Sequence, residues 1–257
     1  MLPTLFISHG SPQLAIMNNK TTHFLQTLHK KIETPKALLV ISAHWVTKEP
    51  KILANEDPLL IYDFYGFPNA LYEVEYPASN DLKRVKDIIH LAKQKNILLE
   101  QEFDRSGYDH GVWTILKHLY PKANIPVIQI SLPISYSIEE LLKLGEALAP
   151  LREDTLIIAS GAMSHNLRNL DWDNIDAEPF IFSANFRDWM VQKLQKANIS
   201  SLKNFLTEAP NTIQNHPTLE HILPLFISMG ASKNKKGNSI HNEYMYGQSM
   251  DSIIFKE

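Results

Sequence analysis

Short apolar runs alternate along the chain with longer stretches whose apolar positions recur every three or four residues. Ala37 to Ile41 is apolar without a break, β-branched at Val40 and Ile41, and bounded upstream by Pro35. A run that short, apolar on both faces, predicts a central strand buried between two layers. Leu2 to Ile7, Val127 to Leu132 and Leu156 to Ala159 predict companions of the same kind, and Ile52 to Ala54 a shorter one. Amphipathic stretches lie between them. Lys20 to Lys31 carries Phe24, Leu25 and Leu28. Asp81 to Asn96 sets Leu82, Val85, Ile88, Ile89 and Ala92 on one face, with Asn80 as the expected cap. Trp113 to Leu119, Ser137 to Leu151, Phe180 to Lys196 and Ser201 to Leu206 predict further helices. A helix starting near Pro217 would suit proline's preference for a first turn, and Ser249 to Phe255 reads as a terminal edge strand. Strands alternating with helices predict an α/β fold. We expect one domain over residues 1–257, a three-layer sandwich with a central, mostly parallel sheet and helices on both faces.

Three stretches break the alternation. Asp57 to Ala78 holds four Tyr and two Phe among Pro and Gly breakers, with no regular period. A long irregular segment inside a compact domain is more often a functional wall than filler. Glu102 to Gly111 is a polar loop, and Lys233 to Ser239 a basic one.

Three of the apolar runs deliver a histidine just past their ends: His9 after Ile7, His44 after Ile41, and His165 after Ala159. Open α/β sheets place ligands beyond the carboxyl ends of their strands. His110 beside Asp109 and His221 beside Glu220 complete five distinctive contexts among eleven histidines. Each also has an ordinary reading. His9 and His44 would cap turns, and His165 would bond a loop backbone. His110 would be an oriented ring or a surface ion pair, with Asp109 structural. Glu220 would simply suit a helix's first turn. His23, His29, His90 and His118 read as surface or packing residues, and His241 as solvated.

Composition narrows the chemistry. The chain has no cysteine, so any metal must be held by imidazole and carboxylate. The net charge of -3, with signs mixed along the chain, gives no electrostatic case for nucleic acid or an anionic membrane. No apolar run approaches a spanning length and the N-terminus lacks a secretory pattern, so a cytoplasmic protein is expected. Ser11 and Ser160 sit in no Gly-x-Ser-x-Gly elbow, and Gly10, Gly111 and Gly161 form no phosphate cradle. No local metal signature such as His-Glu-x-x-His occurs, so ligands would have to be gathered from distant strand ends.

Taken in order, these contexts resemble the class III extradiol ring-cleaving dioxygenases, in the branch named for DOPA 4,5-dioxygenase. The resemblance rests on Ser8-His9-Gly10-Ser11-Pro12, Ser42-Ala43-His44-Trp45, Asp63-Phe64-Tyr65-Gly66-Phe67-Pro68 and Asp109-His110-Gly111. It continues through Pro126 to Ser131, Ser160-Gly161 to Leu167, and Pro217-Thr218-Leu219-Glu220-His221. It implies one divalent metal per chain held by His9, His44 and His221, with Glu220 the rival for the third position. His165 would be the acid/base residue or a further ligand, and His110 a second proton donor or substrate anchor. Tyr65, Phe67 and Asp109 would face the substrate, a small, DOPA-like aromatic diol that reacts with O2. Fe(II) would serve activity, and Zn(II) would be found in the same site. A zinc-dependent hydrolase or lyase, or a catalytically silent binding protein on the same scaffold, stands as the alternative.

Overall fold

The apolar runs come together as the middle of one eight-stranded sheet in the computed structural model, which describes residues 1–256. The strands are β1 (Thr4–Ser8), β2 (Ala37–Thr47), β3 (Lys51–Leu53), β4 (Glu100–Glu102), β5 (Val127–Pro133), β6 (Thr155–Gly161), β7 (Gly237–His241) and β8 (Ser252–Phe255). Their spatial order is β4-β3-β5-β2-β6-β1-β8-β7. The central pairings β5–β2, β2–β6 and β6–β1 are parallel. β3 meets β5 antiparallel, as β8 does β1 and β7 does β8.

Side-chain parity sorts the strands into two cores. Leu38 and Val40 join Leu5, Ile7, Leu156 and Ile158 on one face, under α1 (Lys20–Leu28) and α3 (His110–Leu119). Ala37, Leu39 and Ile41 join Phe6, Ile128 and Ile157 on the other. That face is covered by α2 (Leu82–Gln94), α4 (Ile138–Leu148), α5 (Ile181–Gln195) and α6 (Pro224–Gly230). Double coverage explains why β1, β5 and β6 are buried along their whole length, and why β1 and β6 run largely apolar, whereas β5 also buries the polar side chains of Gln129 and Ser131.

Several boundaries differ from expectation for local physical reasons. The carboxylate of Asp81, not Asn80, accepts the Arg84 N–H at the start of α2. Asn80 instead donates its amide to the carbonyls of Leu53 and Asn55, tying that corner to β3. No helix begins at Pro217; the chain winds through turns and α6 starts at Pro224, where a proline again fills the first turn. The C-terminal strand is not at the edge, because β7, drawn partly from the expected basic loop, pairs outside it. His241, at the end of β7, is buried, stacked on Phe24 and bonded to Thr21. His118 is buried as well, facing the Leu14 carbonyl.

One difference bears directly on the site. β2 does not stop at Ile41 but runs on to Thr47, and its register against β5 slips between Ile41 and Val46. His44 therefore lies within the strand, at an irregularity of the kind that re-aims a side chain. Among the described residues no helix is long and apolar enough to cross a membrane.

Candidate active site

β1, β2 and β6 run parallel, so their carboxyl ends open on one side of the sheet. His9 follows β1 directly and its N–H donates to the Gly161 carbonyl at 2.9 Å. His110 is the first residue of α3, and His165 and His221 arrive on connecting segments. Two glycines permit the approach. A Cβ on Gly161 would stand 2.1 Å from the His221 carbonyl oxygen, and one on Gly111 would stand 2.4 Å from Ser42 Oγ.

The rings of His9, His44 and His221 form a near-equilateral triangle, with centroids 4.9, 5.3 and 5.0 Å apart. His110 lies 3.8 Å from His44, and His165 stacks on His221 at 3.3 Å. The ligand atoms of His9, His44 and His110 all fall within 4.8 Å of one another, as do those of His165, Glu220 and His221.

Outer partners fix which nitrogens face inward. Ser160 donates its hydroxyl proton to the Gly111 carbonyl, so its oxygen accepts from His9 Nδ1 at 2.9 Å and leaves His9 Nε2 bare. Asp63 bridges two rings, with Oδ1 2.7 Å from His110 Nδ1 and Oδ2 3.5 Å from His44 Nδ1. Glu220 accepts from His221 Nδ1 at 3.0 Å and also from the Thr218 hydroxyl. Carboxylates and hydroxyls behind imidazoles are the usual way to orient metal-binding histidines.

Burial and neighbouring imidazoles hold His9 and His221 well below the ordinary histidine range. Burial likewise lowers His44 and His165 to about 4. Behind them, burial takes His216 to about 4, its Nε2 facing the Met163 carbonyl at 2.9 Å. Burial alone would raise the Asp63 carboxyl, but the hydrogen bond and charge of His110 bring it below its usual value.

These residues fit a divalent metal. His221 Nε2 is buried with no protein partner, and the Nε2 atoms of His9 and His44 face each other at 3.0 Å. With His9 Nε2 unprotonated, a proton on His44 or a cation must lie between the two nitrogens, and a metal ion would take that place. Neutral imidazoles without thiolates suit Fe, Zn, Cu or Ni.

His44, His110, His165 and His221 floor a cavity of about 460 Å³. Phe64 and Phe67 form part of its wall, with Phe64 edge-on to His110 at 5.7 Å, and Tyr65 stands at the rim, 91% exposed. Asp109 is not in the wall, contrary to expectation. It is fully buried behind β2, accepting from Ser42 at 2.5 Å, Gln129 at 2.5 Å and Arg105 at 3.0 Å. Ser42 in turn accepts the His44 N–H, so Asp109 supports the site from behind.

The bridging role of Asp63 and the bond from Ser160 to His9 were not anticipated, although both residues sit in the motifs quoted above. Also unanticipated is the opposite wall, from Leu167, Leu170 and Trp172 with Met245, Tyr246 and Met250. Its apolar residues are scattered over two loops and carry no period.

Residues 3–254 match the model of the family described as the catalytic LigB subunit of aromatic ring-opening dioxygenase. The chain is similar to 4,5-DOPA dioxygenase extradiol of Beta vulgaris, at 37% identity over 94% of this chain and 91% of that protein. It is similar at 35% identity to the protein of the same description in Escherichia coli K12, over 90% of this chain and 85% of the relative. A solved structure of an uncharacterized protein from Escherichia coli K12 superposes with a TM-score of 0.84, at 28% identity and with both chains fully covered. With five imidazoles gathered at the carboxyl ends of a parallel sheet, the chain belongs to the LigB family of aromatic ring-opening dioxygenases, on its extradiol side.

Proposed function

We propose that this chain, acting as one catalytic domain, opens a small catechol outside its diol at a single metal held by His9, His44 and His221. The observation that carries the ligand assignment is the convergence of three rings at about 5 Å, two of them buried and one of those with an orphaned inward nitrogen. His110 is nearer still to His44, at 3.8 Å, but its Nδ1 is committed to Asp63 and its ring stands 5.6 Å from His9. Glu220 is the outer carboxylate of His221 in this assignment, because its Oε1 accepts from His221 Nδ1 and from the Thr218 hydroxyl.

Fe(II) in that position would acidify the diol and give electron density a route from ring to dioxygen, whereas Zn(II) would supply charge without redox chemistry. Both oxygen atoms enter the product, and the carbon–carbon bond beside the diol breaks. The protein's share is binding, orientation and proton transfer. His165, unprotonated at neutral pH and partly open to the cavity, accepts a phenolic proton and returns it to oxygen during ring opening. His110, oriented by Asp63, holds or donates to the substrate's oxygen. The aromatic side chains of Phe64 and Phe67 present apolar surface to a planar ring.

The test is anaerobic reconstitution with Fe(II), followed by catechol and air. One equivalent of O2 consumed per catechol, with the absorbance of a ring-opened product, is expected. Hydrolytic turnover that follows Zn(II) and ignores O2 would favour the hydrolase alternative.

A further inference from the structure

The end of the cavity away from the histidines bears on the substituent that the catechol carries. Among the described lining residues there is no Lys or Arg, and the one carboxylate, Asp63, is committed to His110 and His44 on the floor. Nearby cations are spent elsewhere. Arg105 pairs with Asp109, Arg187 with Asp251 and Asp188, and Lys20 with Glu243. Arg168 follows Leu167 in sequence but is exposed and does not line the cavity.

The polar side chains in this wall are satisfied internally. Gln248 exchanges two hydrogen bonds with the Asn166 backbone, Ser249 donates to Asp251, and Ser164 pairs with Ser183. What remains of this wall is mainly apolar: Leu167, Leu170, Met245 and Met250, with the rings of Trp172 and Tyr246, whose N–H and O–H are uncharged donors. Trp172 and Tyr246 pack at 5.5 Å, and Trp172 keeps 52% of its surface exposed. A large, mostly apolar cavity with its polar groups at one end binds a ligand whose polar and apolar parts are divided in the same way.

Building on the function proposed above, we propose that the site selects catechols bearing an uncharged apolar substituent, alkyl or aryl, over those bearing a carboxylate, an ammonium or both. The diol sits on the histidine floor and the substituent lies against the Trp172 wall. A carboxylate placed there would lose its water and find no cation, a cost that buried charges meet only when paired. An ammonium would find no carboxylate lining the cavity beyond the floor, since Asp171 and Asp173, which flank Trp172 in sequence, are not among the lining residues. Each methylene buried there should add roughly fourfold in binding.

The test uses the Fe(II)-loaded full chain with propylcatechol, its carboxylate analogue dihydroxyphenylpropanoate, its amine analogue dopamine, and L-DOPA. Propylcatechol is expected to exceed each charged analogue by tenfold or more in kcat/KM. Trp172→Ala should shrink the advantage of propylcatechol over catechol, and Leu170→Lys should narrow or reverse its advantage over the carboxylate. Equal or higher kcat/KM for a charged analogue overturns the proposal while leaving ring opening intact. So would an unchanged ranking in both variants, since the wall would then not touch the substituent. Efficient use of the carboxylate that disappears in Arg168→Ala would overturn it too, by showing that Arg168 reaches in. Anaerobic binding, followed by Trp fluorescence, separates the two claims. The same order of affinities without turnover of any catechol would sink the dioxygenase function and keep the selectivity, and no binding of any catechol would sink both.

Discussion

The histidine cluster has two halves that are held by different means. His9 and His44 belong to the sheet: one leaves β1 directly, the other sits in the irregular part of β2, and Ser160 at the end of β6 holds the first. His165 and His221 ride on connections, stacked on each other and fixed by backbone bonds to Asn215 and Ala162. The sheet half is rigid because three parallel strands define it. The loop half depends on single contacts, among them the close passage at Gly161 that no other residue would allow. The comparison teaches that ligand geometry can be shared between a stiff support and an adjustable one, and substitutions should separate the two.

The largest effect is expected on the sheet side. His44→Ala should lose the metal, bringing metal content per chain from about one towards zero, with turnover lost alongside. Full metal content in that variant would break the ligand assignment. On the loop side, His165→Ala should keep its metal but lose turnover by roughly 10²–10⁴-fold, the range for a proton-transfer residue. Metal analysis beside single-turnover kinetics decides it, and loss of metal would make His165 a ligand.

Acid should act on the loop half through His216, which lies beneath His165. The unfolded chain takes up a proton there near pH 6.5, whereas the folded chain does so only near 4. Folding stability of the metal-free protein therefore falls as pH drops through that window, by about 3 kcal/mol from this group. Urea unfolding between pH 7.5 and 4 should show the fall, and His216→Gln should remove this group's share of it, leaving the part due to His9, His44, His165 and His221. A wild-type profile that stays level would mean that the buried ring accepts charge. The smallest effect is expected from Glu220→Gln, which keeps the shape of the His221 support but weakens it. Metal affinity should drop roughly 10–100-fold, measured by competition with a chelator; complete metal loss would promote Glu220 to ligand.

The same division governs what the sequence made legible. Apolar runs announce strands covered on both faces, so β1, β2 and β6 and the histidines that follow the runs stand out, with β5 marked by its flanking prolines. His44 lying inside β2 was not legible, because a register slip depends on β5, ninety residues away. Pro217 and Pro224 carry the same first-turn signal, and only packing beneath α6 decides between them. Asp109 sits beside a functional histidine in sequence, yet its three buried partners turn it away from the cavity. The Trp172 wall left no trace at all, since loop residues that meet only in three dimensions share no period.

Asp63 leads further. It sits in the irregular aromatic stretch, yet its two oxygens reach two of the site's imidazoles. The Phe64–Phe67 wall and the rings of His44 and His110 are thus mechanically one piece. Any remodelling of that wall to admit a new substrate would disturb metal and proton chemistry together. Divergence in substrate choice would then be channelled into the opposite loops, where residues can change without touching the reaction itself.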